Sequence, residues 1–194
     1  MIQRPIRASD FKPARHEAEI VAMLDRKLYV KFLTNPEGCV FSVFVYDSFE
    51  DSAVSLLFGL HELSELHVLH FPPSLPGELT EKGLLLLARH LRLQSFSLQN
   101  ARITTAILGA IAEMTSLQWL QLTSCGLVDE QLPVLVGNAG LLGLGLNWNP
   151  ISDSGMRHVL PLTKLQWLSL IGTHVSSDGA SAFMEKRRSC RVIL

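Results

Sequence analysis

Residues 117–127 have the sequence LQWLQLTSCGL, and residues 141–151, LLGLGLNWNPI, repeat its apolar framework 24 residues later. The same framework occurs at residues 93–103 and at residues 165–175, so four consecutive units share one register without an insertion. In each unit the apolar residues before the turn predict a short strand with two or three inward side chains. A repeat of this regularity predicts stacked units instead of one ordinary globular core.

The pattern extends in both directions from these four units. Earlier units begin at Val40 and Leu63, the second lengthened by a proline-rich segment at residues 71–77, and Val192 and Leu194 are in phase at the other end. Twelve residues before each new unit stands a predicted helix N-cap. These cap positions are Asp51, Glu81 (with Thr80 as the alternative), Thr105, Asp129, Asp153 and Ser177. The apolar residues three and six positions after each cap are predicted to pack against the strands.

The first 38 residues differ from the repeat. Residues 13–27 predict an amphipathic helix, residues 28–33 a strand, and residues 35–38 a turn into the strand at Val40. Because a terminal unit must cover a core that a neighbour would otherwise bury, this segment is predicted to cap the open end. The predicted organisation is an N-terminal cap at residues 1–38 and, over residues 39–194, one continuous core of about six repeats and a closing strand.

Composition excludes several classes of function. Leucine accounts for 35 of the 194 residues, but its longest run is Leu84 to Leu87, far short of the ~20 apolar residues that cross a bilayer. The 17 basic and 18 acidic residues leave a net charge of -1, which removes the simplest argument for a nucleic-acid partner because phosphate binding needs a basic face. Residues 1–12 contain no apolar signal segment, so a cytoplasmic location is expected. Three dispersed cysteines predict neither a disulfide framework nor a zinc site, and no cofactor is expected.

The consensus Leu-x-x-Leu-x-Leu-x-x-(Asn/Cys/Thr)-x-(Leu/Ile/Val) resembles the leucine-rich repeat. Its continuation at residues 151–156, ISDSGM, is similar to the ribonuclease-inhibitor-like and F-box-associated subclasses, and to bacterial leucine-rich-repeat proteins with 24-residue units. The resemblance implies an α/β fold, a curved right-handed solenoid with a parallel concave sheet and short convex helices. It covers residues 40–194 and departs from the pattern at Ala101, which occupies the Asn-type position, and at the proline-rich insertion. This fold is a general recognition scaffold.

The concave face is predicted to carry the third, fifth, seventh and eighth residues of each unit, and all three tryptophans belong to this set. Trp119 and Trp167 flank Gly143 on neighbouring strands, and Gly143 and Gly145 are predicted to leave a bare floor between them. Two interpretations remain open. Aromatic walls around such a floor are typical of a recognition hot spot; alternatively, the indoles fold over Gly143 and shield the sheet.

These observations favour a non-enzymatic module that binds a protein partner through the concave face. The predicted contact residues are Trp119, Trp148 and Trp167 at the centre, surrounded by Gln121, Asn147, His67, His70 and Tyr46. Three alternatives remain: a substrate-recruiting adaptor of a ubiquitin-ligase-like complex, which the F-box resemblance implies; a homodimer through the same surface; and an enzyme or small-ligand binder with a pocket beside the tryptophans.

The residues that could act in catalysis or bind a metal are also explained by structural roles. His67 and His70, with Glu65, come nearest to a metal cluster, but residues three apart on a strand need not point the same way. Cys125 occupies the turn position that Asn149 fills in the next unit, which predicts a buried structural thiol. The aspartates at the predicted caps lie on different units, so they do not form a general acid–base pair. No catalytic residue and no metal ligand is predicted.

Overall fold

The computed structural model describes residues 15–46, 49–69, 80–90 and 92–194. Their strands form one eight-stranded sheet in which spatial order follows chain order. The strands are β1 Val30–Thr34, β2 Val40–Val45, β3 Glu65–Val68, β4 Ser95–Gln99, β5 Trp119–Thr123, β6 Gly143–Gly145, β7 Trp167–Ser169 and β8 Arg191–Ile193. The helices are α1 Ala18–Lys27, α2 Asp51–Leu57, α3 Glu81–His90, α4 Thr105–Ala112, a 3₁₀ helix Asp129–Gly137, α5 Asp153–Val159 and α6 Ser177–Lys186.

The framework residues of the repeat lie side by side in the sheet. From β2 to β8 the strands are parallel, and Leu120, Leu144 and Leu168 are register partners on adjacent strands. These three leucines are at most 1% exposed. The parallel arrangement of units, predicted from the 24-residue spacing, is therefore confirmed.

The helices cover the other face of this leucine layer. The apolar residues predicted to point inward are all buried in the described chain, which confirms the helical face that their spacing indicates. These residues are Val54, Leu57, Leu84, Leu87, Leu108, Ile111, Leu132, Leu135, Met156, Val159, Ala180 and Phe183. The segment at Asp129–Gly137 is a 3₁₀ helix with Pro133 inside it. Because proline has no N–H to donate, it is compatible with this short irregular helix but not with the interior of a long α-helix.

The predicted helix caps are wrong by one residue. Most helices begin at the predicted cap residue, and the N-cap is the residue before it: Glu50, Thr104, Val128, Ser152 and Ser176. The Ser152 hydroxyl accepts a hydrogen bond from the N–H of Ser154, and the Ser176 hydroxyl accepts one from Gly179. For α3, Thr80 accepts a hydrogen bond from the N–H of Gly83, as the alternative to Glu81 predicted.

The aspartates that were predicted to be helix caps link neighbouring units instead. Both the N–H and the hydroxyl of Ser176 donate to the carboxylate of Asp153, at 2.8 and 2.7 Å. The carboxylate of Asp129 accepts the corresponding two hydrogen bonds from the N–H and hydroxyl of Ser152, and that of Asp51 accepts them from Thr80. The hydrogen bonds from Ser176 hold the pKa of Asp153 below its ordinary value. The predicted separation of these acids onto different units is confirmed, and each one is already engaged by the following unit.

The turns are closed by buried side chains, as predicted. The N–H groups of Cys125 and Leu127 donate to Oδ1 of Asn149, at 2.9 and 3.1 Å. Nδ2 of Asn149 donates in turn to the carbonyl oxygens of Leu122 and Leu146, at 2.7 and 2.9 Å. Asn149 is 1% exposed, so one side chain satisfies backbone groups that water cannot reach.

The described part of the N-terminal segment contributes the first strand of the sheet and helix α1. β1 pairs antiparallel with β2, and Val30 and Phe32 on β1 extend the buried core. The predicted strand and hairpin are therefore present, although the strand begins and ends slightly later than predicted. Helix α1 begins at Ala18, not at residue 13; residues 13 and 14, like the proline-rich insertion at residues 71–77, lie outside the described residues.

Candidate functional site

The concave face is built from two rows of side chains that run across the sheet. Register partners form one row from Ser42 to Arg191 and a second row from Phe44 to Ile193. The rows are those predicted, but not every member faces solvent. Several small residues in the rows are buried. They are Ser42, Ser97, Gly143, Gly145 and Ser169.

The predicted bare floor between Trp119 and Trp167 is wrong. The indole of Trp119 lies directly over Gly143, where an added Cβ atom would overlap its six-membered ring. The ring centroids of Trp119 and Trp167 are 6.4 Å apart with an interplanar angle of 52°, a tilted contact between the two rings. Glycine allows this arrangement because no side chain separates the indole from the backbone. Trp119 is nevertheless 43% exposed, so the pair covers the sheet and still presents an aromatic surface.

Trp148 lies apart from this pair, in the turn that follows β6. Its backbone is left-handed, with φ of 57°, and its side chain is 63% exposed. The indole rests on Gly172, the corresponding residue of the next unit, where a Cβ atom would overlap the ring. The structure therefore places two predicted contact residues, Trp119 and Trp167, in contact with each other and the third at the edge of the same surface. We call these three residues the tryptophan surface.

Two polar residues predicted to surround the tryptophans have different positions. Gln121 is exposed, and its Cγ atom lies 3.2 Å from the Cβ position of Gly145, so its stem covers that glycine. Asn147 instead connects strands: its Oδ1 accepts hydrogen bonds from the hydroxyl of Ser169, at 2.7 Å, and from the N–H of Ile171, at 3.0 Å. Asn147 thus positions the backbone between the tryptophans, whereas Gln121 presents its amide outward.

A second aromatic group occupies the other end of the concave face. Phe44 stacks on His67 with ring centroids 4.5 Å apart and planes 15° apart, and Tyr29 meets Tyr46 at 5.7 Å. The ammonium group of Lys31 lies 6.0 Å from the centroid of the Phe44 ring. We call Tyr29, Phe44, Tyr46 and His67 the N-terminal aromatic cluster. Two predicted contact residues, Tyr46 and His67, belong to it.

His67 is held in a largely desolvated position. Its side chain is 19% exposed, and Nε2 lies 3.8 Å from a carboxylate oxygen of Glu65. Burial lowers the pKa of His67, while Glu65 acts in the opposite direction. His70, predicted to lie beside His67, falls outside the described residues.

Cys125 has the environment of a structural thiol. It is 2% exposed, and Sγ lies 3.4 Å from the carbonyl oxygen of Thr123. Burial raises the pKa of Cys125 to about 12, so the reactive thiolate is not formed near neutral pH. The hypothesis of a structural thiol at this turn position is supported by both observations.

The structure also assembles a cluster that the sequence did not predict. His16, Glu17 and Cys39 bring one ligating atom each to within 4.8 Å of one another. The first two residues precede α1, and Cys39 precedes β2, so 22 residues separate Glu17 from Cys39. No metal-binding spacing motif describes such a pair, and only the packing of α1 against the hairpin brings the three side chains together.

A cavity beside the turns and a smaller one on the helical side, both among the described residues, are not lined by a tryptophan. One of about 670 Å³ lies between the turns at Ala101 and Cys125. The other, of about 230 Å³, lies between α5 and α6, on the helical side. Across the described ranges, no helix combines the length and apolar composition needed to cross a bilayer.

Three solved structures resemble this arrangement. A leucine-rich-repeat protein of Leptospira interrogans has a TM-score of 0.50 and 18% identity over 76% of this chain and 34% of its own. Internalin C2 of Listeria monocytogenes has a TM-score of 0.49 and 14% identity over 80% of each chain. Another internalin of that organism, InlF, has a TM-score of 0.47 and 18% identity over 79% of this chain and 47% of its own. This chain thus spans only a third to a half of the first and third proteins.

No family model matches the chain, and no curated protein sequence matches it either. The likeness to the Leptospira protein, together with the 24-residue units and the parallel sheet, defines the fold. The chain has the leucine-rich-repeat fold. Its placement in the ribonuclease-inhibitor-like subclass stays a prediction.

Proposed function

We propose that this protein is a non-enzymatic binding module that holds a protein partner against the tryptophan surface. Leucine-rich-repeat proteins generally use the concave side of the solenoid for recognition. For this chain the main support for the proposal is the conformation of Trp148. Its large side chain is exposed, and its backbone adopts a conformation that is unfavourable for tryptophan.

The eighth position of the unit imposes that conformation. The residues there have φ between 54° and 69°: Asn100, Ser124, Trp148 and Gly172. Glycine adopts this region freely and asparagine tolerates it, but a bulky side chain in it stores about 1–3 kcal/mol of strain. Trp148 also costs free energy of folding because it is 63% exposed and leaves apolar surface in contact with water. Strain and apolar exposure in one residue are typical of a site maintained for binding, and packing on Gly172 alone does not require an indole.

Trp119 and Trp167 provide the centre of the proposed surface. Their mutual contact, and the contact of Trp119 with Gly143, fix the rings before a partner arrives. A preorganised aromatic pair loses little side-chain entropy on binding and contributes a large apolar area, which is how a few residues dominate an interface. Gln121 adds an exposed amide beside the pair, and Asn147 keeps the intervening backbone in place.

The N-terminal aromatic cluster forms the outer part of the proposed interface. His67 stacks face to face on Phe44, whereas Tyr46 meets Tyr29 at a tilt of 60°. His70 remains a proposed contact that lies outside the described residues. The partner surface is expected to be apolar and aromatic. The two rows and the adjoining strand β1 contain three residues that are charged at neutral pH: Lys31, Glu65 and Arg191. A chain of net charge -1 is correspondingly not proposed to bind nucleic acid, and no membrane partner is proposed.

The absence of enzymatic activity is part of the proposal. Burial suppresses ionisation of Cys125, and hydrogen bonds to the next unit occupy Asp51, Asp129 and Asp153. The indole over Gly143 fills the slot that a flat small ligand would need, which argues against the ligand-binding alternative. No observation on the described residues favours the ubiquitin-ligase adaptor. Cys39, Cys125 and Cys190 are all unpaired, which agrees with the proposed cytoplasmic location because reducing compartments keep thiols free.

A comparative pull-down tests the proposal. The wild-type chain, the double variant Trp119→Ala/Trp167→Ala and the control Met184→Ala serve as bait in native lysate, with bound proteins identified by mass spectrometry. Met184 is a matched control because it is 38% exposed on α6, away from the sheet. We expect a protein retained by the wild type and by Met184→Ala to be lost with the double variant, because hot-spot truncations cost 2 kcal/mol or more, roughly thirtyfold in affinity.

Two further measurements make the outcome decisive. Circular dichroism and thermal unfolding show whether the double variant is folded, so that lost binding is not a consequence of lost structure. Sedimentation of the purified wild type shows whether a second copy of the chain occupies the surface. Equal capture by folded double variant and wild type would contradict the proposal, and a dimer that the double variant dissociates would replace the heterologous partner with a homodimer.

A further inference from the structure

We propose that His16, Glu17 and Cys39 form a binding site for a divalent transition-metal ion, with Zn²⁺ as the ion that this ligand set fits best. The ligand set combines an imidazole nitrogen, a carboxylate oxygen and a thiol, the three side-chain types that zinc accepts. Their ligating atoms already lie within 4.8 Å of one another. The site is at the N-terminal cap and is independent of the tryptophan surface.

The strongest evidence for the site is the carboxylate of Glu17. This side chain is fully buried. Its Oε2 accepts a 2.7 Å hydrogen bond from the N–H of Val40, whereas Oε1 is buried without a hydrogen-bond partner. An unsatisfied buried carboxylate oxygen is costly, and such groups are typically paired or coordinate metals. Nε2 of His16 lies 3.8 Å from this oxygen, too far for a hydrogen bond.

The spacing suits a tetrahedral ion. Ligand atoms about 2.1 Å from a tetrahedral metal are about 3.5 Å from one another. The 3.8 Å between His16 Nε2 and Glu17 Oε1 is close to this value, so shifts of about an ångström in the His16 and Cys39 side chains would complete the geometry. The ring of His61 stacks on that of His16 with centroids 6.2 Å apart, which places a second imidazole beside the site.

The surrounding charge also favours a cation. The carboxylates of Glu17, Glu62 and Glu37 place negative charge around the Cys39 thiol. This negative field attracts a divalent ion, which replaces the thiol proton. Binding converts Cys39 to a metal-bound thiolate and releases its proton to solvent.

A metal at this position would connect the start of α1 to the start of β2. His16 and Glu17 precede α1, and Cys39 precedes β2. The hydrogen bond from the N–H of Val40 to Glu17 already links the same two elements. A bound ion would therefore join the helix to the hairpin and stabilise the end of the solenoid that β1 covers. Because such a site forms only in the folded chain, the binding free energy adds to the free energy of unfolding.

Cobalt titration of the full chain tests this site. The purified, chelator-treated protein is titrated with Co²⁺, and we expect one ion per chain, a thiolate-to-cobalt charge-transfer absorption, and displacement by Zn²⁺. Cys39→Ser should abolish the charge-transfer absorption, whereas Cys190→Ser should retain it. Glu17→Gln, which keeps an acceptor for Val40, should weaken Co²⁺ affinity by at least about tenfold, and His16→Ala should weaken it where the exposed control His174→Ala does not.

Thermal unfolding provides a readout that does not depend on the cobalt spectrum. Zn²⁺ should raise the unfolding midpoint of the wild type and of Cys190→Ser, and should leave that of Cys39→Ser unchanged. Circular dichroism of each variant in chelator establishes that the fold is retained. A wild type without a saturable cobalt absorption, or an absorption that survives Cys39→Ser, overturns the proposal. If Glu17→Gln does not fold, the comparison of His16→Ala with His174→Ala decides the matter.

Discussion

The two aromatic groups of the concave face share one sheet but rest on different supports. In the N-terminal aromatic cluster the rings pack on one another, with Phe44 stacked on His67 at 4.5 Å. In the tryptophan surface two indoles rest on glycines, Trp119 on Gly143 and Trp148 on Gly172. A stacked ring buries one face against another side chain, whereas a ring on glycine buries one face against the backbone itself. The glycines thus hold the indoles of Trp119 and Trp148 close to the sheet while both residues stay exposed.

The largest expected effect comes from filling the glycine under Trp119. Gly143→Leu should displace the indole and lower the free energy of unfolding by about 1–3 kcal/mol, since added atoms overpack the site. Thermal unfolding measures the loss, and a red shift of tryptophan fluorescence reports the displaced ring. The control Gly109→Ala adds a Cβ that meets only Val134, at 3.9 Å, and should raise stability by about 0.5–1 kcal/mol because alanine favours helix. An unchanged midpoint and spectrum for Gly143→Leu would show that the glycine does not support the ring.

A smaller effect separates the backbone strain of Trp148 from its packing. Trp148→Ala and Trp148→Gly both remove the indole, but only alanine keeps a side chain in the left-handed region. The glycine variant should therefore be the more stable of the two, by about 1 kcal/mol. Chemical denaturation of both variants measures the difference. The same pair of substitutions at the exposed Gln121, on regular strand β5, should show the reverse order, because glycine destabilises a strand. If alanine is preferred at both positions, the strain assigned to Trp148 is wrong.

The smallest effect is a pH dependence confined to the N-terminal aromatic cluster. Burial lowers the pKa of His67 from its ordinary value of 6.5, against the opposing effect of Glu65. Just below pH 6.5 the unfolded chain binds a proton that the folded protein does not, so the stability contributed by neutral His67 falls as the pH is lowered through this window toward the folded pKa. His67→Gln should flatten the decline of the unfolding midpoint between about pH 7 and pH 5, and His174→Gln should not. Parallel curves for wild type and His67→Gln would contradict the assignment.

The periodic part of the fold could be predicted because one physical requirement recurs in every unit. Leu120, Leu144 and Leu168 must all enter the same core, so their spacing determines strand position and register. The helix caps were misplaced by one residue because Asp153 and the neighbouring Ser152 are both good cap residues in isolation. Only the hydrogen bonds to the next unit show that the serine caps its own helix while the aspartate binds Ser176.

The site was less predictable for a different reason. Sequence spacing correctly placed Trp119, Gly143 and Trp167 on adjacent strands, but the direction of an indole depends on rotamer and packing. The predicted bare floor assumed side chains standing upright, whereas the contact of Trp119 with glycine is the arrangement that buries more of the ring. His16, Glu17 and Cys39 meet through the packing of a helix on a hairpin, and no periodic pattern contains that information.

The hydrogen-bond ladder between units also bears on how such a chain can change in length. Asp129 binds Ser152 and Asp153 binds Ser176 with the same atoms, so the unit that contains Ser152 and Asp153 offers its successor the same carboxylate that it uses in its predecessor. A duplication of this 24-residue unit would therefore leave neither carboxylate without its serine. Each such copy would widen the concave face by about 4.8 Å. In this architecture the width of the concave face can change by whole units, while the residues that determine binding specificity stay the same.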